Sequence, residues 1–235
     1  MTALRFEDFR QHSDVLLLPN GKTVSVRFVE PDDAELLQDY FRSLSVRSRY
    51  NRFLGAMSEL PPAQLDQFIH VGELDRFSVI ALMTIDGFEA IVGEARYGFE
   101  ATTGNFEFGI SIDDRWQGHG IGAALLRNLQ CRAAALGARH IFGDTLRSNE
   151  AMIGLARKSG FDFTHNPDDW KLVRFQKQIE VLPEEIPCAS WRLAAQQNAL
   201  QAMGCLSASF RHCERQRSNP DKAVNWIAWS LCSSQ

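Results

Sequence analysis

The spacing of apolar residues changes period along the chain, and the changes mark the elements. From 13 to 29, "SDVLLLPNGKTVSVRFV" reads as two extended runs around Asn20-Gly21, a pair suited to a tight hairpin turn. Pro31 and its acidic neighbours then open a helix in which Ala34, Leu37, Phe41 and Leu44 recur at helical spacing. "PPAQLDQFIHV" predicts a second helix with Leu65, Phe68 and Ile69 inward. Three strands follow: "SVIALMTID" turns at Asp86-Gly87 into "EAIVGEARYGFE", and a turn at Gly104 leads to "NFEFGISI". Such short turns predict an antiparallel meander. A helix over 122–136 closes at Gly137. The strand "ARHIFGDTL" comes next, then the helix "SNEAMIGLARKSGF", N-capped by Ser148 and closed by Gly160, then a last strand, "KLVRFQKQIE".

This order predicts an α/β domain over residues 1–180, with a mixed, mostly antiparallel sheet flanked by helices. Beyond it the period is lost. Residues 181–235 carry four of the five cysteines and three of the five tryptophans without a sustained repeat, and are expected to lie outside the core fold, the alternative being a short helical appendage packed on the domain.

Composition narrows the function classes. A net charge of −4 provides no basic surface for nucleic acid. No apolar run approaches the ~18 residues of a membrane span, and the start, "MTALRFEDFRQHSDVLLL", mixes charges through its apolar positions, so neither a membrane anchor nor a leader is expected. Five cysteines without paired spacing suggest reduced thiols and a cytoplasmic setting. The six histidines show no metal-ligand spacing, so no metal is expected.

The candidate chemistry centres on "DRWQGHGIGAALL", residues 114–126. Gly118, Gly120 and Gly122 stand at alternate positions before a helix. Successive amides in such a turn form an anion site, and the helix directs its positive end at the same spot. One reading is a dinucleotide fingerprint, Gly118-x-Gly120-x-x-Ala123, with Asp144 as the ribose-binding acid. It needs its first glycine directly after a strand, whereas Asp113 to Gln117 intervene here. The other reading is Q-x-x-G-x-G, met by Gln117, Gly118, His119, Gly120, Ile121 and Gly122.

From "FEFGISIDDRWQGHGIGAALL" to "SNEAMIGLARKSGF" the chain resembles the GNAT superfamily of N-acetyltransferases. "YFRSLSVRSRYNRFLG" and "NEAMIGLARKSGF" are similar to the acetyltransferase domain of Pat-type bacterial protein lysine acetyltransferases. The resemblance implies a GNAT-like sheet with a parallel, splayed strand pair at the acyl-CoA site, and acetyl-CoA as co-substrate. It further implies Glu107 as general base, with Glu94 in reserve, and backbone contacts to the thioester and pantetheine arm from Ile110 and Ile112. The diphosphate would rest on Gln117 to Gly122 and Ala123, and Asn149 would hydrogen-bond the cofactor. Ala156 stands where many members carry a tyrosine acid. The acceptor implied is an amine, a protein lysine first and a small-molecule amine second, taken up by a monomer or homodimer. A non-catalytic acetyl-CoA sensor is the alternative from another class. Arg47, Arg49, Tyr50, Arg52 and Phe53 belong to the acceptor entrance on this resemblance, or else form a solvated helix face.

Overall fold

The computed structural model describes residues 13–196 except 56, 73 and 74. Among them eight strands form one sheet. The strands are β1 (Asp14–Leu17), β2 (Thr23–Phe28), β3 (Arg76–Ile85), β4 (Phe88–Glu100), β5 (Asn105–Ile112), β6 (His140–Leu146), β7 (Asp162–His165) and β8 (Leu172–Gln178). Their order in the sheet is β1-β2-β3-β4-β5-β6-β8-β7. Every neighbouring pair is antiparallel except β5–β6. Alternation explains the layering: in β2, Val24, Val26 and Phe28 point into the core while Thr23, Ser25 and Arg27 do not.

Helices cover both faces. α1 (Ala34–Ser43), α2 (Val46–Phe53) and α3 (Pro62–Ile69) lie on one, where Leu37, Phe41, Phe53 and Phe68 pack on Ile80 and Leu82. α4 (Ile121–Ala135) and α5 (Glu150–Lys158) lie on the other. There Leu125, Leu129 and Ala156 share a core with Val26, Phe106 and Phe108. Adjacent residues of β5 thus serve opposite layers.

Local chemistry sets the element ends. α2 begins at Ser45, whose hydroxyl accepts the amide of Ser48 at 3.1 Å. α5 is capped by Asn149, whose Oδ1 accepts the Met152 amide at 3.3 Å, and not by the expected Ser148. The amide side of the same side chain donates to Thr145 at 2.9 Å.

The expected end of the domain at 180 falls short of the core. Ile186, Trp191, Ala194 and Ala195 are buried in the α4 layer. Trp191 donates from Nε1 to Asp14 Oδ2 at 2.8 Å, and Ser190 bonds the other oxygen. Asn128 Nδ2 reaches the same carboxylate at 2.7 Å, and Arg132 at 3.3 Å. The Arg132 guanidinium lies between the rings of Phe28 and Trp191, 4.8 and 4.4 Å from their centres. Cys131 and Cys188 are joined as a disulfide, against the expectation of reduced thiols. Packing Trp191 against α4 brings their Cα atoms to 6.0 Å although 57 residues separate them. Residues 197–235, most of the predicted tail, lie outside the described residues.

Candidate active site

The parallel pair defines the site. β5 and β6 pair only over Asn105–Glu107 and His140–Phe142. Gly143 still approaches β5: a methyl group there would lie 2.7 Å from the Phe108 carbonyl oxygen. Beyond it, Asp144 to Leu146 pair with β8 alone, while Gly109 to Ile112 pair with β4 alone. The strands therefore diverge and leave a slot, lined among others by Phe108, Gly109, Ile110, Thr145, Asn149 and Met152.

At the mouth of the slot the chain leaves β5 through a short 3-10 turn, Asp114–Trp116, and enters the glycine segment. Gly118 and Gly120 have φ of +79° and +88°, a region that costs other residues roughly 1–2 kcal/mol. A methyl group on Gly120 would also sit 2.8 Å from Pro19 Cδ, at the tip of the β1–β2 hairpin. Ile121 and Gly122 begin α4, and Ala123 is exposed on its first turn. Gln117 donates from Nε2 to the Ile112 carbonyl at 3.1 Å, which ties the turn back to β5. The His119 ring stays on the Gln117 carbonyl at 3.0 Å. A fifteen-residue helix ending on amides bare of side chains is a cradle for an anionic group.

The same loop fixes α2. Asp114 accepts from the Ser45 amide at 2.8 Å, the Ser45 hydroxyl at 2.9 Å and the Ser48 hydroxyl at 2.7 Å. Burial raises the Asp114 carboxyl, but these bonds outweigh it and hold it below the ordinary carboxylate range. Asp113 is held down likewise by Arg115, against its own burial.

Glu107 occupies the last paired position before the strands part. Phe106 and Phe108 are buried on the α4 side, so Glu107, half-buried, shares the opposite face with Gly109 and Ser111. Its charge acts on Arg76 and Arg174. Ile110 and Ile112 stand along the diverging stretch, Ile110 in the wall of the slot. Glu94, the reserve acid, is engaged: Arg52 donates to it at 2.7 Å and Ser111 at 2.9 Å. Asp144 pairs with Arg174 through bonds of 3.0 and 2.8 Å, an arrangement unlike a free ribose-binding acid. Asn149 faces the slot while capping α5.

Arg52 was not legible as a buried residue. In "RSRYNRF" it reads as one more charge on a solvated face, yet its side chain is only 8% exposed. Helical phase accounts for the difference, since Phe53 beside it is core while Arg47 and Tyr50 face out. Among the described residues, no group of histidines, cysteines and carboxylates could hold a metal. Nor is any helix there long and apolar enough to cross a membrane.

Comparison with known proteins agrees with this geometry. The acetyltransferase (GNAT) family profile matches residues 37–161. An acetyltransferase of Pseudomonas aeruginosa is 33% identical over 152 residues, covering 65% of this chain and 82% of its own. The GNAT domain of Streptomyces lividans PAT superposes with a TM-score of 0.64 at 26% identity, over 71% of this chain and 96% of that one. The yncA protein of Salmonella typhimurium, solved with its cofactor acetyl-CoA, shares the fold with a TM-score of 0.53 at 18% identity, over 70% of this chain and 99% of its own. The mixed sheet with one splayed parallel pair, the glycine turn at the slot's mouth and these likenesses together establish that the chain belongs to the GNAT family of acetyl-CoA-dependent acetyltransferases.

Proposed function

We propose that this domain moves the acetyl group of acetyl-CoA to a primary amine, a protein lysine first among acceptors, by direct attack with Glu107 as general base. The observation that carries the proposal is the position of Glu107, where the parallel strands part and on the face turned towards α2. A lysine-type amine is protonated at neutral pH. With a pKa of ~10.4, its free base costs about 4.6 kcal/mol at pH 7. A carboxylate at the end of the slot, directly or through a water, can take that proton as the amine reaches the thioester carbon.

The other residues have matching tasks. The amides of Gln117 to Gly122 and the positive end of α4 hold the diphosphate, with Ala123 on the same turn. β5 backbone at Ile110 and Ile112, freed by the splay, aligns the pantetheine arm and meets charge growing on the carbonyl oxygen. Asn149 lies beside the same arm. With Ala156 fully buried, the leaving thiolate takes its proton from water, an ordinary thiol pKa of ~8.5 making that step mild. The likeness to Pat-type domains, together with the exposed Arg47 and Tyr50 on α2, supports a protein surface as the acceptor's carrier.

Glu107→Gln tests the assignment. We expect kcat/KM to fall by roughly 10²–10⁴ with coenzyme A affinity kept. Unchanged turnover removes Glu107 from the mechanism, and a wild-type protein that binds coenzyme A but acetylates no amine fits the sensor alternative. Labelled acetyl-CoA, offered with whole-cell lysate and with a panel of small amines, separates the two acceptor classes.

A further inference from the structure

We propose that the Arg52–Glu94 ion pair, laid across Gly109, is a stop that limits the acyl group accepted by this site to about the size of acetyl. The inference rests on the acyl-CoA reading above and concerns which acyl-CoA the slot takes.

Gly109 lies two residues past Glu107, the last position at which β5 pairs with β6. A thioester whose arm lies along the slot reaches its end there. What covers that end is Arg52. A methyl group added at Gly109 would lie 2.7 Å from Arg52 Nη1 and 3.0 Å from Cζ, so the guanidinium rests directly on the strand. Glycine is needed at 109 for this close approach, since its own φ lies outside the left-handed region.

The guanidinium is not free to swing aside. Nε bonds Glu94 Oε1 at 2.7 Å, and Nη2 lies 3.5 Å from Oε2. The two side chains are only 8% and 3% exposed. Glu94 is itself fixed: Ser111 Oγ donates to it at 2.9 Å, and Tyr40 OH lies 2.8 Å from that oxygen. Three elements, α1, α2 and the sheet, thus hold one cation in place. The same pairing gives Glu94, which serves no step of the proposed reaction, a reason to be a buried carboxylate.

The slot lined by Gly109, Ile110, Thr145 and Asn149 is bounded at this end by the Arg52 side chain. Each further methylene has to displace a guanidinium whose departure leaves a buried carboxylate without its partner, a loss that apolar contact with one methylene does not offset.

The test is an affinity panel read by calorimetry on the full chain: coenzyme A, acetyl-, propionyl-, butyryl- and hexanoyl-CoA. The wild type is expected to bind butyryl-CoA at least tenfold more weakly than acetyl-CoA. In Arg52→Ala/Glu94→Gln, which opens the end without stranding a charge, that gap should shrink to threefold or less. Arg52→Lys, which keeps cation and stem, should hold it above fivefold. Equal wild-type affinities for acetyl- and butyryl-CoA overturn the stop whatever the variants do. So does a folded double variant, judged by its melting curve and coenzyme A binding, that keeps the wild-type gap. Loss of the stop alone leaves the acetyltransferase reading intact, whereas a wild type that binds no coenzyme A species sinks both.

Discussion

Gly118→Ala and Gly120→Ala, made separately, divide the glycine turn into its conformational and its packing parts. Both positions have positive φ, so alanine at either costs roughly 1–2 kcal/mol. At Gly118 no protein atom lies within 4 Å of the added methyl, and the conformational cost stands alone. At Gly120 the methyl meets Pro19 Cδ at 2.8 Å and Cγ at 3.2 Å. The proline ring belongs to a hairpin and cannot rotate away, so overpacking adds about 1–3 kcal/mol. For a domain of this size each kcal/mol moves Tm by about 2–4 °C. The expected drops are about 2–8 °C for Gly118→Ala and about 4–20 °C for Gly120→Ala. Thermal unfolding without ligand measures both. Calorimetric titration with coenzyme A then reads function: alanine biases either position towards negative φ and swings the neighbouring amides off the diphosphate, so Kd should rise at least tenfold in both variants. Equal Tm losses refute the Pro19 contact. A Gly118→Ala protein with wild-type coenzyme A affinity refutes the amide cradle.

Trp191→Ala should lower stability by about 3–5 kcal/mol, because the ring is 2% exposed and stacked on Arg132; a Tm within 2 °C of wild type would place residues 186–196 outside the folded unit. Asp14 shapes the acid limb. Burial raises its carboxyl, but bonds from Ser190, Asn128 and Trp191 with the Arg132 charge outweigh it and hold the pKa below 3.8. The sign follows: this stabilisation is whole above about pH 3.8 and is lost as pH falls through the lowered folded value. Asp14→Asn should therefore flatten the stability-pH curve below about pH 4 while lowering the plateau at pH 7, and parallel curves for the two proteins would refute it. Asn149→Ala should cost about 1 kcal/mol through the lost cap of α5, and on the proposed reading should also weaken coenzyme A, so a stability loss with unchanged affinity would confine Asn149 to capping.

Local signals carried much of the fold. Asn20-Gly21, Asp86-Gly87 and Gly104 turn where the chain turns, and Gly21, Gly87 and Gly104 all have positive φ. The glycine turn was readable because its chemistry is local, amides and a helix end within eight residues. What escaped depends on distant partners. Arg52 belongs to an exposed-looking run until Glu94, 42 residues on, explains its burial. The resemblance ranks Glu107 before Glu94, and strand register with the Arg52 contact adds that Glu94 is held by α2 while Glu107 stands where the parallel strands part. β7 has four residues, mostly exposed, too few to show a period. The 186–196 stretch reads as patternless because it contributes a few anchors, Ile186 and Trp191 foremost, to a surface built by other elements. Those anchors have no spacing to betray them.

The carboxylate shared by β1 and Trp191 has a consequence for biosynthesis. Its two sides are 177 positions apart, so a growing chain exposes the apolar floor beneath α4 until the Trp191 segment has left the ribosome. A nascent domain halted at about residue 180 keeps an open seam where Trp191 would cover Arg132 and Asp14, which makes it prey for chaperones and proteases. Completion of this fold is therefore a late, long-range event, governed by closure of a loop of 177 positions and not by the rapid zipping of its hairpins.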